Sequence, residues 1–509
     1  MTTEKILLEF NKVSKSFGSV QANNQVSFAV KQGSIHALIG ENGAGKSTIM
    51  KILFGLYQAD HGEIRLRGQK LNILSPIDAK KHRIGMVHQH FMLAGPISAM
   101  NHFFLDEKPT SLKGFFTPLP AEKKLQQLQA LSERYQMAVP WQEPVEKLSV
   151  GIQQRLEILK ILYNEADILI LDEPTAVLAP QEILALFSQL RELKAQGKTI
   201  LFITHKLKEV MSLADTVTVF RKGEVIAQKN IEDTNPRDLS ELMVGRKLIE
   251  LVRSPAMPGE RLLEIKNLSF KTQGRERLKN LDFHIHSGEI LGIAGIEGNG
   301  QSDLIQILVQ PKAHEKAVSG ELRWKTNSIL SKSAKDLKEM GFSFFPEDRL
   351  TQGALVQSNL KENFLLGQHR SPDFQKMGIF KPHEISRVTT EEMKKLDVWP
   401  RNPNAIFKNL SGGNQQKLVV ARELYRKPPF LLAAQPTRGV DIGAIEKIHF
   451  EMDLLRKNGA AILLISSELD ELMKLSDRIM VIRHGSLLGQ ILHPPFDETQ
   501  IGCMMLGAV

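Results

Sequence analysis

Short runs of β-branched and aliphatic residues alternate along the chain with longer segments whose apolar residues recur every three or four positions. Ser34–Ile39, Ile168–Asp172 and Thr199–Thr204 are of the first kind and predict buried strands. Pro180–Gln196 is of the second kind, with Ile183, Leu186, Phe187 and Leu190 on one helical face. Strands that alternate with helices predict an α/β fold with a mostly parallel sheet covered on both sides. In such folds the chemistry belongs at the carboxyl ends of the strands.

The pattern occurs twice. Leu148–Gln154 (LSVGIQQ) returns as Leu410–Gln416 (LSGGNQQ), and ILILDEPT ending at Thr175 returns as FLLAAQPT ending at Thr437. Asp215 in LADTVTVFRKG returns as Asp477 in LSDRIMVIRHG, at the same separation. LLEF at Leu7 returns as LLEI at Leu262, slightly closer, which a few inserted residues explain. We therefore expect two homologous domains, 1–248 and 261–509, joined by a linker over 249–260 that carries two prolines. Each is of ordinary size for an α/β unit.

Composition narrows the class. With 42% apolar and 24% charged residues, the 509-residue chain is an ordinary globular one, not a disordered or collagen-like one. The single cysteine, Cys503, cannot form an internal disulfide and is expected to be packed near the C-terminus. No apolar run approaches the ~18 to 20 residues of a bilayer span, and the start Met1–Lys5 lacks a signal-peptide core. A cytoplasmic chain is expected. The net charge of +9 fits an anionic ligand, a membrane surface or nucleic acid without choosing among them.

The segment Gly40-Glu41-Asn42-Gly43-Ala44-Gly45-Lys46-Ser47-Thr48 matches G-x-x-x-x-G-K-[ST]. It follows the apolar run Ile35–Ile39 and precedes a helical pattern over Thr48–Leu56, the context this motif requires. Glycines let the backbone form a nest of amide hydrogens for phosphate oxygens, and the following helix adds its positive end. Lys46 would neutralise the β- and γ-phosphates, and Ser47 would offer its hydroxyl to Mg2+. At the end of the Ile168–Leu171 strand, Asp172 can hold the metal shell and Glu173 can orient or deprotonate water. His205 ends the next strand at the same sheet edge, beside the expected γ-phosphate.

These residues, with the Leu-Ser-x-Gly-x-Gln segments, resemble the ABC ATPase family over essentially the whole chain. The likeness is nearest to the fused double-cassette subunits of bacterial importers for simple sugars and nucleosides. It rests further on IGMVHQHFML at Ile84, GNGQS at Gly298, FPEDR at Phe345 and AAQPTRGVDIGAIEKIH at Ala433. The resemblance implies two tandem P-loop NTPase cassettes, each with a small β subdomain and a helical signature subdomain. It also implies ATP and Mg2+ as cofactors. In the family, cassettes pair head to tail, so each ATP lies between one cassette's phosphate loop and the other's signature. Carried over, Ser411, Gly412, Gly413 and Asp441 would contact the nucleotide held by residues Gly40–Thr48. Phe17 would stack on adenine, although it could equally be a core aromatic. Gln89 would join the catalytic and Mg2+-holding residues, in the hinge that reports ATP to the membrane partner. Its neighbours His88 and His90, like His284 and His286, read as alternating side chains at a strand end rather than metal ligands. The implied partners are two integral membrane permease subunits and an extracytoplasmic substrate-binding protein, with the chain peripheral at the membrane's cytoplasmic face and no nucleic acid. The insertion Gly114–Pro120 is either partner-facing or a plain loop.

The halves differ where chemistry is done. Gln301 stands where the first half has Lys46, Ala434 for Asp172, Gln435 for Glu173 and Ser467 for His205. A glutamine cannot accept the proton, and loss of a general base alone costs roughly 10²–10⁴ in rate. The signatures differ in the opposite sense: the first carries Val150 and Ile152, the second is fuller, and Asp441 has Ala179 as its counterpart. Head-to-tail pairing would then make one complete site and one altered site. Glu347, near the position of Gln89, and Glu297 are each candidates to replace the missing carboxylate. The expected function is an import motor for a nucleoside or simple sugar. Competing readings are a soluble twin-cassette factor on ribosomes or nucleic acid, and an ATP-responsive scaffold without turnover.

Overall fold

Six consecutive buried residues, Ile35–Gly40, cannot make a strand with a wet face, and in the computed structural model this strand lies inside a sheet. The structure describes residues 5–18, 20–89, 91–105, 121–175, 178, 180–247, 253, 258–272 and 274–507. The insertion Gly114–Pro120, His90, Ala179 and most of the expected linker lie outside the described residues. The chain divides into two compact units, Met1–Leu248 and Ile249–Val509.

In the first unit the main sheet runs, edge to edge, Glu224–Asn230, Thr216–Arg221, Ile35–Gly40, Thr199–Ile203, Ile168–Asp172 and Ile84–Val87. All neighbours are parallel except the hairpin at the first edge. A second sheet is wholly antiparallel, in the order Val20–Lys31, Ile6–Phe17, His61–Leu66 and Gln69–Lys70. A core of Leu8, Phe10, Val26, Ile49, Leu53, Ile170 and their neighbours joins the two sheets through the helix Lys46–Leu53. The second unit repeats this plan. Its main sheet runs Phe342–Phe345, Phe430–Ala434, Ala461–Ser466, Ile290–Ala294, Arg478–Arg483 and Ser486–Leu492. Its antiparallel sheet is built on Arg261–Thr272 and Arg275–His286. Each unit also carries helices around its signature, Ala121–Arg134 with Val150–Tyr163, and Pro382–Lys395 with Gly412–Tyr425.

The repeated residues hold equivalent structural posts. Asp215 accepts a hydrogen bond from the Ile35 amide at 2.9 Å and Asp477 from the Ile290 amide at 2.8 Å, so each aspartate anchors the start of the strand that leads to a phosphate-type loop. Gly245 and Gly507 end the helices Pro236–Val244 and Glu498–Leu506 in left-handed conformations. Beneath the first unit's sheet, the His36 ring bridges the Thr216 and Thr218 hydroxyls at 2.7 and 2.8 Å. Complete burial, reinforced by Lys31, pushes this imidazole down to about 3, so it is neutral in the fold.

Some expectations shift. The helix after the loop covers Lys46–Leu53 rather than Thr48–Leu56, because Gly55 turns the chain with φ +81°. The strand before Gln89 ends at Val87, and His88, at that strand end as expected, packs edge-on against Phe54. Cys503 is half-buried, not fully packed. Leu186, Phe187 and Leu190 are buried as their periodicity predicts, while Ile183 is only half-buried.

Candidate functional site

The loop Gly40–Thr48 turns between the central strand and its helix with Gly43 at φ +81° and Gly45 at φ +98°. Gly45 admits no side chain: a Cβ would lie 2.4 Å from the Ala22 carbonyl oxygen and 2.5 Å from Asn23 Nδ2. Asn23, fully buried, supports the loop from below by donating to the Gly45 carbonyl at 3.1 Å. The motif did not single out Asn23, because it lies on a strand of the other sheet. Ala44 is buried within the loop, while Asn42 and Gly43 are exposed and Glu41, Ser47 and Thr48 are half-buried. Lys46 is 6% exposed, and its ammonium donates to the Gly40 and Glu41 carbonyls at 2.7 and 3.0 Å. Burial pushes it below the ordinary lysine range, against the pull of Glu173, Asp172 and Glu41.

The strand Ile168–Asp172 brings its carboxylate to the helix start, where Ser47 Oγ donates to Asp172 Oδ1 at 3.0 Å. Burial raises Asp172, and the Ser47 hydrogen bond opposes that rise. A hydroxyl beside a carboxylate is an all-oxygen donor set that suits a hard cation such as Mg2+. The next residue, Glu173, has φ +49°, a strained setting for a non-glycine residue. That turn lets its two oxygens face different partners. His205 Nδ1 lies 3.1 Å from Oε1, and Gln89 Nε2 donates to Oε2 at 2.8 Å. The His205 hydrogen bond holds Glu173 below the ordinary carboxylate range, although burial works the other way. Thr175 and Thr204, at the ends of the two strands, both donate to buried Glu209 at 2.8 and 3.0 Å. This clamp fixes the segments that carry Glu173 and His205, and no spacing in the sequence announces it.

One chain segment after another thus delivers Lys46, Ser47, Asp172, Glu173, His205 and Gln89 to one sheet edge. Gln89 is attached here to Glu173, not to Ser47 or Asp172. Phe17 is 42% exposed, which removes the core alternative, and its ring meets Tyr57 edge-on at 5.0 Å with Lys15 at 5.6 Å. Among the described residues no group of three or more His, Cys, Asp or Glu is arranged to hold a metal, and His284 and His286 pack on each other at the end of their strand.

In the second unit the backbone is retained while the side chains change. Gly298 and Gly300 have φ +91° and +112°, and Gln435 has φ +48°, matching Glu173. Gln301 Nε2 donates to the Ile296 carbonyl at 3.0 Å, and Gln435 Oε1 accepts from the Ser467 amide and hydroxyl, each at 3.2 Å. Ser411 caps the signature helix by accepting from the Asn414 amide, as Ser149 does from Ile152 in the first unit. Asp441 caps the helix Ile442–Lys457, accepting from the Ala444 amide at 2.7 Å. A Cβ on Gly413 would stand 2.8 Å from that aspartate, so the signature and Asp441 are in close contact within their own unit. Arg349, the last residue of FPEDR and given no role from sequence, links this region to the loop after Phe345 by donating to Gln415 and the Arg438 carbonyl, each at 3.2 Å.

The ABC transporter family model matches residues 23–176 and again 278–438. The nucleoside import ATP-binding protein NupA of Lactococcus lactis is 40% identical over 98% of this chain and 98% of its own length. The guanosine import ATP-binding protein NupO of Bacillus subtilis is 40% identical over 99% and 98%. The ribose import ATP-binding protein RbsA of Shouchella clausii is 37% identical over 95% of both chains. Among solved structures, one of a complex of archaeal ribosomal stalk protein aP1 and the ribosome recycling factor aABCE1 has a TM-score of 0.65. It covers 97% of this chain and 92% of that one, and at 18% identity it speaks to the fold alone. The two family matches fall on the two units that share one plan and one backbone at their loops, and the chain belongs to the ABC transporter family.

Proposed function

We propose that this chain is the ATP-binding and hydrolysing motor of an ABC importer for a nucleoside or simple sugar, with one competent site and one altered site. The observation that carries the reading is Glu173, ionised and held between His205 Nδ1 and Gln89 Nε2 beside Lys46 and the Ser47–Asp172 pair. In the mechanism, Lys46 leaves the loop carbonyls to meet the β- and γ-phosphates of ATP, which the loop amides cradle. Mg2+, held by Ser47 and Asp172, would neutralise phosphate charge. Glu173 orients water and accepts its proton, while His205 keeps the carboxylate placed and ionised. Gln89 senses that carboxylate and leads into the segment expected to face the membrane partner.

Head-to-tail pairing would add Ser411, Gly412, Gly413 and Asp441 to this site, with Phe17 at the adenine. The boundary between domains is proposed within 249–260. The import role is supported by the names of full-length relatives, which concern nucleosides, guanosine and ribose. No helix among the described residues is long and apolar enough to cross a membrane. The pathway would therefore lie in two separate permease subunits fed by an extracytoplasmic binding protein, with this chain at the cytoplasmic face. The test is reconstitution with the permease subunits in liposomes. ATP-dependent uptake of a labelled nucleoside or ribose is expected, and a chain that hydrolyses ATP but drives neither would sink the import reading.

A further inference from the structure

The loop beyond the edge strand Phe342–Phe345 sends three consecutive charged side chains to three places. Glu347 accepts from Ser302 Oγ at 3.0 Å. Asp348 caps the turn Arg349–Gly353, accepting from the Leu350 amide at 2.8 Å and the Thr351 hydroxyl at 2.7 Å. Arg349 lies against the start of the signature helix Gly412–Tyr425. Its Nε and Nη1 donate to Gln415 Oε1 and the Arg438 carbonyl, and its Nη2 stands 2.5 Å from where a Cβ on Gly412 would be. Arg438 turns its own guanidinium to Glu297 at 3.6 Å. Gly412 is the first residue of a right-handed helix and does not have the positive φ that would call for glycine. What its position requires is room, and the Arg349 guanidinium fills that room.

The first unit lacks both members of this pair. The strands that end at Val87 and Phe345 share one register, and at equal steps beyond them Phe91 stands for Arg349. Val150 stands for Gly412. Gln153, the counterpart of Gln415, turns its Nε2 to the Val145 and Leu148 carbonyls at 3.3 and 3.0 Å. Gln415 instead donates to the Phe407 carbonyl at 3.3 Å and offers its Oε1 to Arg349. Stability does not account for the arginine. Its two acceptors are neutral oxygens, and it faces the positive end of a helix. Burial, with Arg438 acting in the same sense, pushes its guanidinium below the ordinary arginine range. What the arrangement achieves is placement. One planar fork ties the signature to the Arg438 carbonyl, three residues before Asp441.

We propose that Arg349 is a positioning residue for hydrolysis: its guanidinium fixes the first turn of the second unit's signature and the segment leading to Asp441, and Gly412 is glycine to admit it. This rests on the ATP reading above, in which that signature completes the competent site. The test uses the chain reconstituted with its permease subunits. Arg349→Ala should lower kcat by about 10- to 100-fold with KM for ATP within about twofold, because the first unit's loop still holds the nucleotide. Methylguanidinium at non-denaturing concentration should recover part of the lost rate, a response that a merely structural side chain would not give. Gly412→Ala displaces the guanidinium and should also slow hydrolysis, yet add little in an Arg349→Ala background. Full kcat in Arg349→Ala, losses that multiply in the double variant, or no recovery with methylguanidinium would each overturn the proposal. Circular dichroism shows which variants are folded. Should Arg349→Ala not fold, Arg349→Lys takes its place, keeping the charge but losing the fork, and full kcat in that variant counts against the proposal. Failure of the ATP reading looks different: no hydrolysis by the unaltered complex.

Discussion

In the proposed mechanism the chemistry turns on Glu173, a carboxylate with both a nitrogen partner and a depressed proton affinity. Glu173→Gln should lower steady-state ATP hydrolysis by roughly 10²–10⁴ while nucleotide binding persists. A phosphate-release assay beside a binding titration measures both. Gln435→Glu should not create an equal second site, because Gln301 and Ser467 still replace a lysine and a histidine there. His36 gives a residue-scale prediction about stability. Its folded value of about 3 lies below the ordinary 6.5, so the unfolded chain takes up the proton first. Its contribution is whole above pH 6.5 and is lost as pH falls from there toward 3, at up to about 1.4 kcal/mol per unit. Denaturant unfolding at neutral and mildly acid pH should show a smaller acid loss in His36→Gln than in the unaltered chain.

At the scale of elements, the phosphate-type loop is a backbone device, and its glycines are not equivalent. Gly43 has a positive φ with open space where a Cβ would stand, whereas Gly45 combines positive φ with contacts of 2.4 and 2.5 Å. Gly43→Ala should cost about 1–3 kcal/mol of strain, and Gly45→Ala more, because it also displaces Asn23 and the Ala22 carbonyl. Thermal unfolding with and without ATP checks the order of the two. The helix after the loop stops at Leu53 since Gly55 reverses the chain, a local cause the apolar periodicity through Leu56 concealed.

For the whole molecule, the repeat poses a sharper question than either unit alone. Ser149 and Ser411 do the same structural work as helix caps, so replacing either should cost a similar stability, about 0.5–2 kcal/mol. If the competent site is completed by the second unit's signature, Ser411→Arg should abolish hydrolysis although it lies in the half that lacks Glu173. Ser149→Arg should leave most of it. Equal ATPase rates for the two folded variants would refute head-to-tail assembly.

Much of this protein could be read from its residues in order. Uniform aliphatic runs declare buried parallel strands, and glycine spacing before a lysine declares a phosphate loop, because both depend on conformations that neighbouring residues impose on one another. The substitutions Lys46 to Gln301 and Glu173 to Gln435 are equally plain, since proton chemistry belongs to residue type. What required tertiary structure was direction. Phe17 faces solvent, Glu209 gathers Thr175 and Thr204, and Glu347 turns to Ser302 while Gln89 turns to Glu173. Each of these side chains is placed by residues from separate elements, and its partner is set by which strand ends and helix starts the sheet brings within hydrogen-bonding reach.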